Sequence, residues 1–304
     1  MTEDTAFMDT RHKRPGMGLS LLASLALVLA SCTAAVAAGS MSVSQELDAE
    51  YHYDAGAHTR GAGDVDEHSA DVRYVISPQV TKNLLLRIGA EWQRYDFGVS
   101  EHVPVPDVLQ SASLVLGFDY QFADQWIMRA ELQPGVYSDF RGVGWNDFDA
   151  PLKLGAVYLK DADLQWFFGL LVDARGEYPV LPAAGVRWKY ADQWTLNLAF
   201  PNPRLEFEVT DGLLLYFGAD VDAGTYRMSN TFGTDRGETK LNGAILDYLE
   251  LRVGPGCSWR VMPNLTIEAE AGLMPFRGIN YFDANTATRS YDAPYGQIAC
   301  HARF

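Results

Sequence analysis

Strict alternation of apolar and polar side chains is the feature that most constrains how this chain can fold. In the segment 265–273, apolar residues occupy every odd position, and polar residues or glycine occupy every even one. Successive side chains of a β-strand point to opposite faces, so this pattern predicts a strand with one apolar face. The same alternation recurs at 112–122, 126–132 and 205–209. It indicates an all-β protein.

The alternation and the turn residues between segments predict fourteen strands. They fall at 43–56, 66–77, 84–97, 108–122, 126–139, 151–160, 164–175, 180–190, 193–200, 203–209, 212–225, 243–261, 264–282 and 290–304. The links after even-numbered strands are short, at Ser77-Pro78, 123–125, 161–163, 191–193, 210–212 and 262–264. The links after odd-numbered strands include long polar loops at 57–65, 98–107, 140–150 and 226–242, with a short exception at 201–202.

Alternating link lengths and an even strand count are typical of transmembrane β-barrels, which have short periplasmic turns and longer outer loops. We therefore predict a single antiparallel transmembrane β-barrel of about 14 strands, within a range of roughly 12–16.

The first 38 residues have the three regions of a secretory signal. Arg11, Lys13 and Arg14 precede an apolar run at 19–30, and small residues follow at 34–38. This order predicts a Sec-type signal peptide at 1–38, followed by the outer-membrane barrel domain at 39–304. The apolar run is shorter than the roughly 20 residues that a helix needs to span a bilayer. The sequence leaves open whether the signal is cleaved after Ala38 or lipidated at Cys32, and which start codon is used.

Tryptophan placement supports contact with a membrane. Five tryptophans lie on the apolar face within a few residues of the short turns: Trp126, Trp166, Trp188, Trp194 and Trp259. Aromatic side chains at this level form a girdle at the membrane interface of outer-membrane barrels. Trp92 lies on the same face near the far end of its strand, and it is predicted to join the opposite girdle. The alternative is that these aromatic residues fill the core of a soluble sandwich.

The last predicted strand ends at Phe304. A C-terminal aromatic residue is typical of strands presented to the barrel-insertion machinery of the outer membrane. Ala302 stands where a second aromatic residue is usual, so the signal is partial. The predicted partners are this machinery and outer-membrane lipid.

Four segments resemble a known family: 200–207 (FPNPRLEF), 215–226, 247–254 and 263–268. They are similar to an uncharacterised family of bacterial outer-membrane β-barrels that is catalogued as a domain of unknown function. The resemblance covers most of 70–304 and rests on Phe-Pro-x-x-Arg followed by a tyrosine near 226. It implies a barrel in the outer membrane and supplies no catalytic residues.

Residues opposite the apolar face are predicted to point into the barrel, and many of them are charged. Both signs occur two residues apart, so cross-strand ion pairs are available. The predicted lumen-lining charged residues are Arg73, Arg87, Glu91, Arg129, Glu131, Arg204, Glu206, Glu208, Glu250, Arg252, Glu268 and Glu270. This pattern fits either a polar pore or a salt-bridge network that plugs a narrow lumen. Val157, Leu159, Phe167 and Leu171 also point inward by parity, which favours the network.

Charge and motifs limit the functions that this chain can have. A formal net charge of −15 argues against nucleic acid as a partner, because such binding requires clustered basic residues. No GxSxG motif accompanies the six histidines, so no catalytic residue is predicted. The acidic stretch 64–68 does not match the spacing of a calcium loop, and neither a metal site nor a cofactor is predicted.

The function predicted from these observations is non-enzymatic. A pore or small-solute transport protein of the outer membrane is the leading interpretation, and its acidic excess predicts a preference for cations. The alternatives are a structural or adhesive surface barrel with an occluded interior, and a hydrolase at the barrel rim.

Overall fold

The structure, a computed structural model, describes residues 42–59, 63–99 and 103–304. The predicted signal segment 1–38, including Cys32, lies outside the described residues. Within these ranges, no helix combines the length and the apolar character needed to cross a membrane.

Fourteen antiparallel strands form a closed barrel, which confirms the predicted fold. The strands are β1 Val43–Thr59, β2 Gly63–Thr81, β3 Leu84–Gly98, β4 Val108–Ala123, β5 Trp126–Leu132 and Gly135–Ser138, β6 Phe148–Asp149 and Leu152–Leu159, β7 Leu164–Val172, β8 Val180–Ala191, β9 Trp194–Asn197, β10 Arg204–Thr210, β11 Leu213–Arg227, β12 Ile245–Met262, β13 Leu265–Tyr281, and β14 Thr286–Tyr291 and Ala293–Arg303. Each strand pairs with the next, and β14 pairs with β1 to close the wall, with Ala302 opposite Leu47.

The two ends of the barrel differ as the alternating link lengths predicted. At one end, here called the short-turn end, β4 and β5 are joined by two residues, as are β8 and β9. The other end, here called the loop end, carries a short helix, α1 (Phe232–Asp235), and 3-10 turns at Trp145–Asp147, Thr239–Leu241 and Phe282–Ala284.

Two predicted links are wrong. The turn after β2 does not fall at Ser77-Pro78, because β2 continues to Thr81. The Gln79 N–H donates to the Ser42 carbonyl on the β1 side, so position 78 faces β3. Pro78 has no N–H to donate, and the ladder with β3 is interrupted there, between the pairs Ile76–Ile88 and Gln79–Leu85.

The predicted loop 57–65 is mostly strand. His58 pairs with Asp64 across the ladder of β1 and β2. A β-bulge between Asp54 and Ala57, with Gly56 at a φ of 61°, lets the ladder continue past the irregularity.

The apolar rows of the strands lie on the outer surface of the barrel. On β4, the Leu114 side chain is 55% exposed, whereas the adjacent Ser113 is 8% exposed. On β3, Leu86 and Ile88 are exposed, and Arg87 between them is buried. Such a wall, apolar outside and polar inside, is the arrangement that a membrane-spanning barrel requires.

Candidate functional site: the barrel interior

Ion pairs between strands that are not neighbours show that charged side chains meet inside the barrel. Arg73 of β2 donates to Glu91 of β3 at 2.7 Å and to Glu131 of β5 at 2.6 Å. Arg87 of β3 lies 3.4 Å from the same Glu131 and 3.0 Å from Glu46 of β1. These residues form one connected network that spans the interior from β1 to β5.

Further predicted lumen residues form pairs that are more exposed. Arg129 donates to Asp119 at 2.6 Å, and its side chain is 51% exposed. Arg187 donates to Glu206 at 3.1 Å, and Glu208 lies 3.8 Å from the nearest lysine Nζ on β8. These pairs lie toward the short-turn end of the barrel.

Arg204 and the carboxylates of β13 meet on the opposite side of the interior. Arg204 donates to Glu268 at 3.0 Å, and its guanidinium carbon lies 4.2 Å from the centroid of the Tyr216 ring. Glu270 accepts a hydrogen bond from the Tyr295 hydroxyl.

Gly256 of β12 leaves room for the Tyr216 ring against the wall. A Cβ atom at position 256 would lie 2.3–2.6 Å from three atoms of that side chain. We expect Gly256→Ala to displace Tyr216, disturb its contact with Arg204 and lower the free energy of unfolding by about 1–3 kcal/mol. Urea unfolding in lipid vesicles measures the loss. Gly296→Ala is the matched control, because a Cβ atom there would meet no atom within 4 Å; equal losses would contradict the explanation.

A second charged cluster is completely enclosed between β1, β2, β12 and β13. Arg277 donates to Glu250 at 2.7 Å, lies 2.9 Å from Glu67 and also contacts Asp54. The Arg277 side chain is 1% exposed, and the three carboxylates are fully buried. A buried carboxylate is stable only when it is paired and hydrogen-bonded, so Arg277 is the residue that holds this cluster together.

The donor set of this cluster resembles that of a metal site. His52, Asp54, Glu67 and Glu250 present donor atoms within 4.8 Å of one another. However, Arg252 contacts Nδ1 of His52 as a donor, which places the proton of a neutral imidazole on Nε2. Nε2 faces the carboxylates at 3.3–3.6 Å, and a metal ion would require its lone pair. The arrangement therefore suits a buried ion-pair cluster better than metal coordination.

Arg277 is one of the interior residues that the sequence analysis missed. Alternation from Glu270 predicts inward side chains at even positions of β13, whereas 277 is odd. A register shift between β12 and β13, located between Leu251 and Val253, moves the inward face to odd positions. Pro275 within β13 is the signal that could have indicated this irregularity.

The acidic stretch 64–68 is divided by the alternation of β2. Asp64 is exposed and lies 3.5 Å from His58. Glu67 points inward and is fully buried, whereas the His68 ring stacks on Tyr53 with 4.5 Å between centroids. These residues do not form one site.

The predicted girdle tryptophans lie on the outward-facing rows. Trp126 packs against Tyr158 with 4.9 Å between ring centroids, and Trp194 packs against Phe207 at 4.8 Å. The others are exposed or half-buried: Trp92, Trp166, Trp188 and Trp259. Their role as membrane girdles stays a prediction.

An apolar cluster fills the loop end on the side of β2–β4 and β11–β13. Tyr95, Tyr226 and Tyr248 form its base, and Phe232 and Leu241 fold into it from the β11–β12 loop. The loop predicted at 226–242 is therefore not a freely solvated outer loop, because its apolar residues pack into the barrel.

Residues of β7 and β8 line two cavities, and the larger of these also extends along β3–β6 and β11–β14. One of about 530 Å³ lies toward the loop end, and Glu91, Gln133, Lys153 and Leu171 contribute to its lining. A smaller one of about 140 Å³ lies toward the short-turn end and is lined in part by Arg187.

The β7–β8 loop contacts the start of β6 beside the larger cavity. Arg175 contacts the carbonyl oxygen of Phe148 and lies 3.6 Å from the carboxylate of Asp149.

The closed wall, with an apolar outer surface and charged interior, defines a β-barrel of the outer-membrane type. The chain belongs to the family described as a domain of unknown function (DUF6268), whose model matches residues 49–294. This match confirms the resemblance found in the sequence. A comparison with curated proteins finds no match.

The chain is similar to several solved structures at low sequence identity. The COG4313 outer membrane channel from Pseudomonas putida F1 has a TM-score of 0.46 at 11% identity, over 88% of this chain and 100% of that chain. The NanC porin has a TM-score of 0.40 at 11% identity, over 84% and 98%. The translocator domain of the autotransporter NalP from Neisseria meningitidis has a TM-score of 0.36 at 11% identity, over 94% and 95%. This likeness concerns the fold alone.

Proposed function

We propose that this protein is a pore that passes small solutes across the outer membrane. The observation that carries the proposal is the cavity of about 530 Å³, which contacts inward residues of β3–β7 and also reaches Glu177 and Tyr178 of the β7–β8 loop. A cavity of this size suits small molecules, since ligand sites commonly measure about 300–1,000 Å³.

The route that we propose follows β6–β10. Ion pairs of Arg73 and Arg87 occupy the side of β1–β5, and the Arg277 cluster occupies the side of β12 and β13. The larger cavity reaches the remaining side at Lys153, Leu171 and Leu181, and the smaller cavity, beside Arg187 and Glu206, lies at its short-turn end. Solutes would cross between them past this ion pair.

We expect the pore to prefer cations. The lining of the larger cavity includes the carboxylates of Glu91, Asp173, Glu177 and Asp247, against two basic residues, Lys153 and Arg289. Excess negative charge in a low-dielectric passage concentrates cations. Reversal potentials in a KCl gradient across planar bilayers are expected to give potassium permeability above chloride permeability.

The same measurement tests the assignment of the cavity. The double variant Asp173→Asn and Glu177→Gln is expected to lower the cation preference severalfold. Asp211→Asn, in the turn between β10 and β11, is the matched control and is expected to leave the preference unchanged. Absence of any conductance would rule out the proposed pore function. A preference for chloride would contradict the proposed role of these carboxylates.

Surface adhesion is the second candidate function. Trp145 in the β5–β6 loop is 92% exposed, which is unusual for so large an apolar side chain. Electrical silence in bilayers, together with surface binding that Trp145→Ala abolishes, would favour adhesion over transport.

We also propose that the barrel-insertion machinery recognises the last strand. The Phe304 side chain is 44% exposed, and its backbone N–H donates to the Gln45 carbonyl at 2.9 Å. The same proposal places the protein in the outer membrane, after export by the predicted signal peptide.

A further inference from the structure

The two strands between β8 and β11 are short, so the barrel wall does not extend as far toward the loop end there. β9 has four residues and β10 has seven, whereas β11 has 15. β8 pairs with β9 between Arg187 and Ala191, and β11 pairs with β10 between Leu213 and Gly218. Toward the loop end, β8 pairs on its far side with β7, and β11 pairs on its far side with β12. The near edge of β11 bonds with the β9–β10 link as far as Val221, and Arg227 at its end pairs with Ser138 of β5. A gap therefore separates β8 from β11 above the short strands.

The larger cavity passes through this gap. Ala223 of β11 is paired with Leu249 of β12. Leu249 directly precedes the buried, inward-facing Glu250, so this pair lies on the outer surface. Lys153 and Leu171 are paired across β6 and β7 and share the inward face with Glu131. Ala223, Leu249, Lys153 and Leu171 all line the same cavity. One cavity thus connects the interior with the outer surface.

The β7–β8 loop, residues 173–179, crosses the top of the gap and is here called the lintel. The Glu177 backbone N–H donates to Asp247 at 2.9 Å, and Asn280 donates to the Glu177 carboxylate at 2.8 Å. A Cβ atom at Gly176 would lie 3.3 Å from Thr225 Oγ1. The three residues that the lintel contacts are paired across neighbouring strands and face outward like Leu249: Thr225, Asp247 and Asn280. The lintel therefore rests on the outer surface of β11–β13.

The gap lies at the upper edge of the apolar outer surface. On β12, the outward row runs from Trp259 near the short turn to Leu249 at the gap. Ten steps at about 3.4 Å, tilted by about 40°, rise roughly 26 Å, which equals the height of the apolar band of such barrels, about 25 Å. Leu249 therefore lies where the hydrocarbon layer ends, and a molecule in the adjoining leaflet would meet the gap from the side.

We propose that this gap, bounded by β8, β11 and the lintel, is a lateral portal through which small amphipathic molecules pass between the adjoining lipid leaflet and the barrel interior. The proposal rests on the transport function proposed above and names its substrate class. Leu181, Leu249 and Phe276 offer an apolar surface, and Asp173 and Asp247 add carboxylates beside it. This lining suits a molecule with an apolar body and a cationic head.

A photoreactive alkylammonium confined to the bilayer tests the portal directly. Proteoliposomes containing a decylammonium with a diazirine in its chain are illuminated, and labelled residues are mapped by mass spectrometry. We expect labels on the inward residues Lys153 and Leu171, which lipid-dissolved molecules reach only through the wall. Labels restricted to outward-facing residues would overturn the portal.

A bulky residue at the edge of the gap provides the matched variant. Ala223→Trp is expected to abolish the interior labels, whereas Leu215→Trp, outward-facing on the same strand but away from the cavity, is expected to retain them. Heat-modifiable gel migration verifies that both variants fold. Interior labels that persist in Ala223→Trp would overturn the portal. Conductance without interior labels would support the pore function and overturn the portal. Interior labels without conductance would support the portal and overturn the pore function.

Discussion

Arg277→Met is expected to destabilise the barrel by about 3–5 kcal/mol, because removing one partner of a buried ion pair leaves unpaired charges in a low-dielectric interior. Arg277 contacts Asp54, Glu67 and Glu250, and each of these carboxylates is fully buried. The free energy of unfolding, measured by urea titration in lipid vesicles, is the quantity to compare.

Arg129→Met removes a guanidinium of the same kind from a more exposed pair. Its side chain is 51% exposed and pairs with Asp119. Exposed pairs contribute about 0–1 kcal/mol, so a small loss is expected for this control. Equal losses in the two variants would mean that the Arg277 cluster does not hold the barrel together.

Replacing residues 231–241 with a short glycine linker is expected to raise single-channel conductance severalfold. Phe232 and Leu241 are buried in the apolar cluster that fills the loop end, and Arg236 ties the same segment to Asp107. Removing the segment would open a route along the barrel axis that these side chains occupy. Planar-bilayer recordings measure the change.

Deleting residues 142–145 of the β5–β6 loop is the matched control. These residues are exposed and lie outside the apolar cluster, so their loss is expected to leave conductance unchanged. If the 231–241 replacement folds and conducts like the unaltered protein, the apolar cluster does not limit the passage.

The strand count and the two faces of the wall could be predicted because alternation is a local property. The segment 265–273 shows its apolar face without reference to any other strand, and turns such as 123–125 carry their own signals. The prediction failed where pairing overrode a local signal. Pro78 reads as a turn residue, yet β2 continues through it to Thr81, because the pairing with β1 is kept there while the ladder with β3 is interrupted.

The interior could be predicted in part for the same reason. Parity indicated that Arg73, Glu131 and Arg204 share the inward side; Arg73 pairs with Glu131, and Arg204 pairs with Glu268. Parity failed at Arg277, since one bulge reverses the faces of every residue beyond it. The apolar cluster was also missed, because Phe232 and Leu241 lie in a segment without alternation.

By itself, the sequence determined that this chain forms a closed antiparallel wall, and for most residues it determined which side of the wall they face. The direction of a side chain depends only on its own strand, so a single sequence contains that information. Only the tertiary structure decided which charges meet, how the loop end is filled and where β8 and β11 leave a gap. Those features arise from contacts between distant segments, and closure of the barrel with its particular register is what brings those segments together.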